Sequence, residues 1–149
     1  MDLYAELMAL TAALDAAGLE YALAGGLALA VHGAPRATSD IDLLVQRDQV
    51  ERIVLAVREL GFKFQAIPMR FPDGMTLRRV TKIVDGEALT LDLMLVNDPL
   101  ASAWASRARY DGDQGALVVV SREALIAMKT WAGRPQDLAD IARLQGDDR

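Results

Sequence analysis

Two aspartates separated by one residue, Asp40 and Asp42, lie in an apolar run of the chain at a spacing that could support chemistry. A β-strand places residues i and i+2 on one face, so the two carboxylates would project side by side while Ile41 and Leu43 point into the core. Adjacent anions repel each other unless a cation lies between them, and hard divalent ions with oxygen ligands are the leading candidates. The pair therefore predicts a metal site on a strand.

A third aspartate, Asp92, lies in another strand-like apolar run, over residues 91–96. If that strand lies next to the first, three carboxylates converge on one or two metal ions. Such a site suits phosphoryl or nucleotidyl transfer, because the metals neutralise developing charge and align the in-line attack. Asp98 competes for this third position, but Asp98-Pro99 is typical of a helix start, where an aspartate is expected as the N-cap.

A glycine pair, Gly25-Gly26, precedes the acids at a predicted turn from a strand into a short helix. Two interpretations are open for it. Glycine would let the backbone approach a phosphate closely, with the unpaired N–H groups of the helix start facing the anion. Alternatively, the turn only requires a positive φ angle, which glycine adopts readily.

These motifs together resemble those of the nucleotidyltransferase superfamily, which includes DNA polymerase β, the antibiotic nucleotidyltransferases and the small bacterial minimal nucleotidyltransferases. The core of the resemblance consists, in chain order, of Ala24-Gly25-Gly26, the helix from Leu27 to His32, Asp40-Ile41-Asp42 and Asp92. Further details are similar to the stand-alone bacterial branch related to abortive-infection toxin nucleotidyltransferases, namely His32-Gly33, Arg36, Thr38 and residues 125–144. The resemblance extends over nearly the whole chain.

The resemblance implies an α/β or α+β fold of the polymerase β type, in which helices cover a mixed β-sheet. It also implies a Mg²⁺- or Mn²⁺-dependent enzyme that moves a nucleoside monophosphate from a nucleoside triphosphate to an acceptor hydroxyl or phosphate and releases pyrophosphate. In this interpretation Asp40 and Asp42 bind the metal ions, while Asp92 completes the site and assists deprotonation. Gly25 and Gly26 then contact the triphosphate.

Three further residues are candidate contacts to the nucleotide phosphates. Arg36 and Thr38 lie on the loop before the first acid, where Arg36 could bind a phosphate bidentately or instead pair with an acid at the surface. Lys129 corresponds to a phosphate-side lysine of the resembled family, although a lysine whose stem lies along an apolar surface is an open alternative. The last two predicted helices also contain a structural ion-pair group, formed by Arg134, Asp137 and Asp140.

The composition predicts a single domain over residues 1–149, because a chain of this length buries enough surface for one core. Its net charge of −5 argues against a protein that coats duplex nucleic acid. Residues 63–82 contain five basic residues and one acid, which form either a solvated face or a rim that attracts a polyanion. With no membrane-length apolar stretch, no signal pattern and no cysteine, we expect a cytoplasmic protein without a membrane partner.

Apolar periodicity and turn signals predict the elements that position these residues. Helices are expected at residues 2–17, from the glycine pair to about residue 34, and at 50–60 and 98–108, with two more beginning at Ser121 and Pro135. Strands are expected at residues 21–24, 40–45, 62–69, 75–84, 87–96 and 116–120, with turns at Pro72-Asp73-Gly74 and Asp85-Gly86.

The acceptor stays open, since RNA, a protein hydroxyl and a small molecule all require the same metal core. The sequence also leaves open the preferred base, the oligomeric state and whether a toxin or antitoxin is a partner. The alternative function is a catalytically inactive nucleotide-binding or toxin–antitoxin interaction module. The presence of three acids disfavours that alternative.

Overall fold

The computed structural model describes residues 1–112 and 114–146, and within them the strands form an eight-stranded mixed sheet with helices packed against it. The α-helices are α1 (Leu3–Ala16), α2 (Gly25–Val31), α3 (Val50–Arg58), α4 (Ala101–Ala105), α5 (Arg122–Ala132) and α6 (Pro135–Leu144). The strands are β1 (Ala22–Ala24), β2 (Asp40–Val45), β3 (Phe64–Gln65), β4 (Met69–Arg70), β5 (Thr76–Val84), β6 (Glu87–Leu95), β7 (Ala108–Gly112) and β8 (Gly115–Val119). The predicted fold class is confirmed.

The order of strands across the sheet is β3, β5, β6, β2, β1, β8, β7, and β4 also pairs with β5. β2 is parallel to β6, and β1 is parallel to β8, whereas the other neighbouring strands are antiparallel. The sheet is therefore mixed, and its two central strands, β6 and β2, are separated in sequence by α3 and the β3–β5 region. This topology brings distant segments of the chain to the middle of one sheet.

Alternation along β2 decides which of its side chains lie in the core. Ile41, Leu43 and Val45 are fully buried, whereas Asp40 is exposed and Asp42 is partly buried on the other face. On α1, Leu7, Leu10 and Leu14 follow the helical repeat and are also fully buried. The acids thus lie on a strand that is fixed in place by apolar packing.

Across the described residues, no helix is both long and apolar enough to cross a membrane.

Two parts of the predicted element order are wrong. The expected strand at residues 62–69 forms only the two-residue strands β3 and β4, with Pro68 between them, and proline cannot donate a ladder hydrogen bond. The helix expected to extend to residue 108 ends at Ala105, and the chain then forms β7, which pairs with β8. The N-cap is Asn97 rather than Asp98: the Asn97 side chain accepts a hydrogen bond from the Leu100 amide at 3.2 Å and caps the 3-10 helix Asp98–Leu100 that precedes α4.

Candidate functional site

A row of residues at one level of four neighbouring strands forms the centre of the site. The sheet register pairs Arg79 of β5 with Asp92 of β6, Asp92 with Asp42 of β2, and Asp42 with Ala24 of β1. Directly paired residues in a sheet project on the same face. The structure therefore brings Asp42 and Asp92 side by side, and we call Arg79, Asp92, Asp42 and Ala24 the cross-strand row.

Asp42 has a carboxyl group that is poorly neutralised by its surroundings. Its pKa is raised to about 7, first by burial and then by the nearby charges of Asp92 and Asp40, and this is the net value against the opposing charges of Lys129 and Arg79. Asp40 lies two residues earlier on the same face of β2 and is exposed. Negative charge therefore accumulates on this face of the sheet around a carboxylate that has lost part of its hydration.

Asp92 is paired with Arg79 through both of its oxygen atoms. The Arg79 Nε atom donates to Asp92 Oδ1 at 2.7 Å, and Nη2 donates to Oδ2 at 3.0 Å. The Asp92 side chain is 9% exposed, whereas that of Arg79 is 43% exposed. This hydrogen-bonded contact raises the pKa of the Arg79 guanidinium, so the arginine stays charged.

Gly25 and Gly26 are in close contact with the loop and the strand that carry the other candidate residues. Gly25 has a φ angle of +66°, and a Cβ atom at this position would lie 2.1 Å from Asp42 Oδ2. A Cβ atom on Gly26 would lie 2.9 Å from the Thr38 Cβ and Oγ1 atoms. The absence of side chains at these two positions therefore allows α2 to begin directly against Asp42 and Thr38.

Arg36 and Lys129 both contact Asp140, which is fully buried. The Arg36 Nε atom donates to Asp140 Oδ1 at 2.9 Å, and the Lys129 Nζ atom donates to Oδ2 at 2.9 Å. Burial alone would raise the pKa of Asp140, but hydrogen bonds from Lys129, Arg36 and Gln136 outweigh it and lower the pKa. Lys129 is itself buried, yet its charge acts on Asp42. This ion-pair group therefore lies beside the acidic face.

The expected ion-pair group of the last two helices is present. Asp137 accepts hydrogen bonds from the Arg134 backbone N–H at 3.1 Å and from Arg134 Nε at 2.7 Å, and its pKa is lowered mainly by the Arg134 side chain. Lys129 Nζ lies 3.7 Å from Asp137 Oδ1, which links this pair to the Asp140 contacts. The helix expected from Ser121 is α5, and the Ser121 side chain caps it by accepting a hydrogen bond from the Ala124 amide at 3.0 Å.

Arg79 belongs to the site although it lies in none of the motifs of the sequence. It was one of the five basic residues between positions 63 and 82, and three of these pair with acids in the structure. Arg79 contacts Asp92, Arg78 contacts Glu51, and Lys82 contacts Glu6. A signal for the Arg79–Asp92 pair exists, because a two-residue turn at Asp85-Gly86 fixes the register of the hairpin that contains both residues.

The donors of the acidic face are chemically suited to a hard divalent cation. They are carboxylate oxygens, and the raised pKa of Asp42 indicates a cluster in which negative charge is incompletely balanced. Over residues 1–112 and 114–146, however, no group of three or more acidic, histidine or cysteine side chains is arranged so that it could hold a metal ion. Both Asp92 oxygens are instead occupied by Arg79.

A protein-family comparison matches more than half of the chain. The model of the aminoglycoside-2''-adenylyltransferase family matches residues 6–87. The matched segment includes the glycine pair, Asp40, Asp42 and Arg79 and ends before Asp92. No curated protein matches the sequence significantly.

Solved structures with the same fold include one described as a nucleotidyltransferase, one described as an adenylyltransferase, and ANT(2'')-Ia. A Thermotoga maritima protein described as a nucleotidyltransferase is 17% identical, covering 99% of this chain and 94% of that one with a TM-score of 0.66. ANT(2'')-Ia in complex with adenylyl-2''-tobramycin is 19% identical, with coverages of 97% and 87% and a TM-score of 0.65. The lincosamide antibiotic adenylyltransferase LnuA with bound lincomycin is 15% identical, with 94% of each chain covered and a TM-score of 0.64. The fold is thus that of the polymerase β-like nucleotidyltransferases.

Proposed function

The chain belongs to the aminoglycoside-2''-adenylyltransferase family, and from that premise we propose that it transfers a nucleoside monophosphate from a nucleoside triphosphate to an acceptor and releases pyrophosphate. ATP is the first donor to test, because the family is named for adenylyl transfer. The observation that supports the proposal best is the cross-strand row, in which Asp42 and Asp92 are direct neighbours and Gly25 contacts Asp42.

In this proposal the three aspartates have related roles. Asp40 and Asp42 would hold Mg²⁺ or Mn²⁺, and Asp92 would complete the site and accept the proton of the attacking hydroxyl. Bound divalent cations would neutralise charge on the transferred phosphoryl group and on the leaving pyrophosphate. Asp92 is well placed for its role because β6 holds it next to Asp42 on a strand that is paired on both sides.

The triphosphate is proposed to lie along the start of α2. α2 has only seven residues, so its dipole is small, and the main contribution of Gly25 and Gly26 is steric. Without side chains there, a phosphate could approach the backbone beside Asp42. Arg36 and Thr38 would contact or orient the phosphates from the loop before β2, and Lys129 would do so from α5. Asp140 holds Arg36 and Lys129 in place.

The acceptor is proposed to be a small molecule with a hydroxyl group. The family description supports this class, and the net charge of −5 argues against a polyanionic acceptor such as RNA. Two of the neighbouring structures contain antibiotic molecules, adenylyl-2''-tobramycin and lincomycin, which shows that the fold accommodates acceptors of this kind in those proteins.

Transfer can be tested with the purified chain, Mg²⁺ or Mn²⁺, and each nucleoside triphosphate labelled at the α-phosphate. Reactions would contain a panel of aminoglycosides and lincosamides, or a cell extract separated afterwards into RNA, protein and small-molecule fractions. We expect label from ATP in the small-molecule fraction. Label in RNA or protein would contradict the proposed acceptor class.

The alternative is a nucleotide-binding or toxin–antitoxin interaction module that performs no transfer. The presence of Asp40, Asp42 and Asp92 on one face of the sheet disfavours it, because a module that only binds nucleotide has no need of the third acid. Nucleotide binding without label transfer in any fraction, with every donor and both metals, would favour this alternative over the enzyme.

A further inference from the structure

The contact between Arg79 and Asp92 has a consequence for how the proposed metal site would be assembled. Arg79 donates to both carboxylate oxygens of Asp92, at 2.7 and 3.0 Å, so the third acid is already neutralised by a cation that belongs to the protein. A divalent cation that uses Asp92 must therefore share its oxygens with Arg79 or displace it. Arg79 and the metal ion compete for one carboxylate.

The two partners differ in how easily they can move. Asp92 lies on β6, which is hydrogen-bonded to β5 on one side and to β2 on the other, and its side chain is almost fully buried. The Arg79 side chain is long and 43% exposed, so its guanidinium can leave the contact without disturbing the packing of the sheet. Exchange at Asp92 would thus move the arginine rather than the aspartate.

We propose that Arg79 is a positioning residue of the active site, which orients and neutralises Asp92 until metal and nucleotide bind together. The Arg79 side chain then moves, so that its guanidinium leaves Asp92 and pairs with a phosphate of the nucleotide. A phosphate offers Arg79 the same two-oxygen geometry that the carboxylate offers. Nucleotide binding would in this way release Asp92 for the metal. The inference rests on the proposed function, since it takes the three aspartates as the metal ligands.

Mn²⁺ affinity measures this competition without any transfer. In the absence of nucleotide, Arg79→Gln should bind Mn²⁺ roughly tenfold more tightly than the wild type, because a positive charge and a competitor for Asp92 are both removed. α,β-Methylene-ATP should strengthen Mn²⁺ binding strongly in the wild type and much less in the variant. Calorimetry or the electron paramagnetic resonance of free Mn²⁺ gives both values.

Arg78→Gln is the matched control. Arg78 is the neighbouring residue on β5, its side chain contacts Glu51 of α3, and its substitution removes the same charge. It should change Mn²⁺ affinity much less than Arg79→Gln does. In the Asp92→Asn background, Arg79→Gln should also have little effect, because the contested carboxylate is absent. Should Arg79→Gln fail to fold, Arg79→Lys can replace it in the test. Lysine cannot pair with both Asp92 oxygens, so this variant should also bind Mn²⁺ more tightly than the wild type.

The possible outcomes separate this inference from the proposed function. One outcome is that Arg79→Gln binds Mn²⁺ no more tightly than the wild type, while the Asp40→Asn, Asp42→Asn double variant loses Mn²⁺ binding. That result would overturn the role of Arg79 and leave the metal site in place. If Arg78→Gln gains as much Mn²⁺ affinity as Arg79→Gln, the role of Arg79 is also overturned, because the effect would then be one of net charge. If the wild type binds no Mn²⁺ even with nucleotide, both proposals fail.

Discussion

Asp42 is restricted by three neighbours that act on its side chain in different ways. Gly25 leaves only enough room for the Asp42 carboxylate, because a Cβ atom at position 25 would overlap Oδ2. Asp92 is its neighbour in the sheet register, and Asp40 lies on the same face two residues earlier. The position of this carboxylate is thus set by backbone contacts, while its pKa is raised first by burial and then by the nearby anions.

A first prediction at the residue scale concerns Asp92. Asp92→Asn keeps the shape of the side chain but removes its charge and its basicity. We expect nucleotide affinity to stay within a few fold and transfer to fall by roughly 10²–10⁴, the range for loss of general-base help. Single-turnover kinetics with equilibrium nucleotide binding separates the two quantities.

Asp98→Asn is the control for that prediction, because Asp98 is exposed and lies in the 3-10 turn before α4, outside the cross-strand row. It should leave transfer almost unchanged. An active Asp92→Asn enzyme together with an inactive Asp98→Asn enzyme would show that the third acid has been assigned to the wrong residue.

A second prediction uses two glycines with similar backbone angles. Gly25 and Gly33 have φ angles of +66° and +84°, so alanine at either position costs about 1–2 kcal/mol in backbone strain. A Cβ atom at Gly33 would contact no heavy atom within 4 Å, whereas at Gly25 it would displace the Asp42 carboxylate. We expect Gly25→Ala to lower transfer at least roughly 100-fold, the cost of displacing a catalytic group by about 1 Å.

Gly33→Ala should lower the free energy of unfolding by that backbone cost of about 1–2 kcal/mol and leave transfer largely intact. Thermal unfolding and transfer rates, measured on both variants, give the comparison. Equal losses of transfer in the two variants would mean that backbone strain, and not contact with Asp42, explains the need for glycine at position 25.

At the scale of elements, the β5–β6 hairpin shows what the sequence could predict. Asp85 and Gly86 have φ angles of 51° and 80°, as in the two-residue turns that suit hairpins. With Val84 paired to Glu87, counting outward along the strands pairs Arg79 with Asp92. The Arg79 contact could therefore have been derived from the predicted turn. The pairing of β6 with β2 could only be assumed, since no local signal specifies which distant strands become neighbours.

Local signals also explain where the prediction succeeded and where it failed. The expected strand 40–45 matches β2, because an apolar run with aspartates at alternate positions begins it and polar residues follow it. The helix from residue 98 was extended too far, since Ala101–Ala105 continues into residues with no strong breaker. β7 forms there because β8 offers it a partner, and a partner strand is a tertiary effect that propensity does not contain.

The α5–α6 pair gives a prediction about stability. Asp140 is fully buried and accepts hydrogen bonds from Arg36, Lys129 and Gln136, so Asp140→Ala would leave Lys129 buried without one of its carboxylates. We expect a loss of about 3–5 kcal/mol in the free energy of unfolding. Urea denaturation followed by circular dichroism measures it.

Asp111→Ala is the matched control. Its ion pair with Arg109 is exposed at both ends, with side-chain exposures of 74% for Arg109 and 84% for Asp111, and such pairs contribute about 0–1 kcal/mol. Similar losses for both alanine variants would show that the Asp140 contacts add little to the stability of the fold.

At the scale of the whole molecule, the sheet concentrates negative charge at its centre while apolar packing holds that charge in place. β2 and β6 are central strands, and their other face is formed by fully buried residues such as Ile41, Leu43 and Leu91. The fold therefore has no means of separating Asp42 from Asp92 without breaking the sheet. The stability of the entire domain, and not only the site, should depend on the charge of Asp42.

The last prediction follows from that dependence and concerns metal-free protein in a chelating buffer. The pKa of Asp42 is raised to about 7 in the folded protein, from 3.8 in the unfolded chain, so folding favours the protonated carboxyl group. The ionised Asp42 carboxylate lowers the free energy of unfolding. This loss is absent below pH 3.8, grows by at most about 1.4 kcal/mol per pH unit as pH rises toward 7, and is then constant. Asp42→Asn, which stays neutral, should therefore be more stable than the wild type at pH 8 by a margin that shrinks toward pH 5. Urea denaturation at several pH values measures this difference. A stability difference for Asp42→Asn that does not change with pH would mean that its carboxylate is already balanced by its neighbours in the absence of metal.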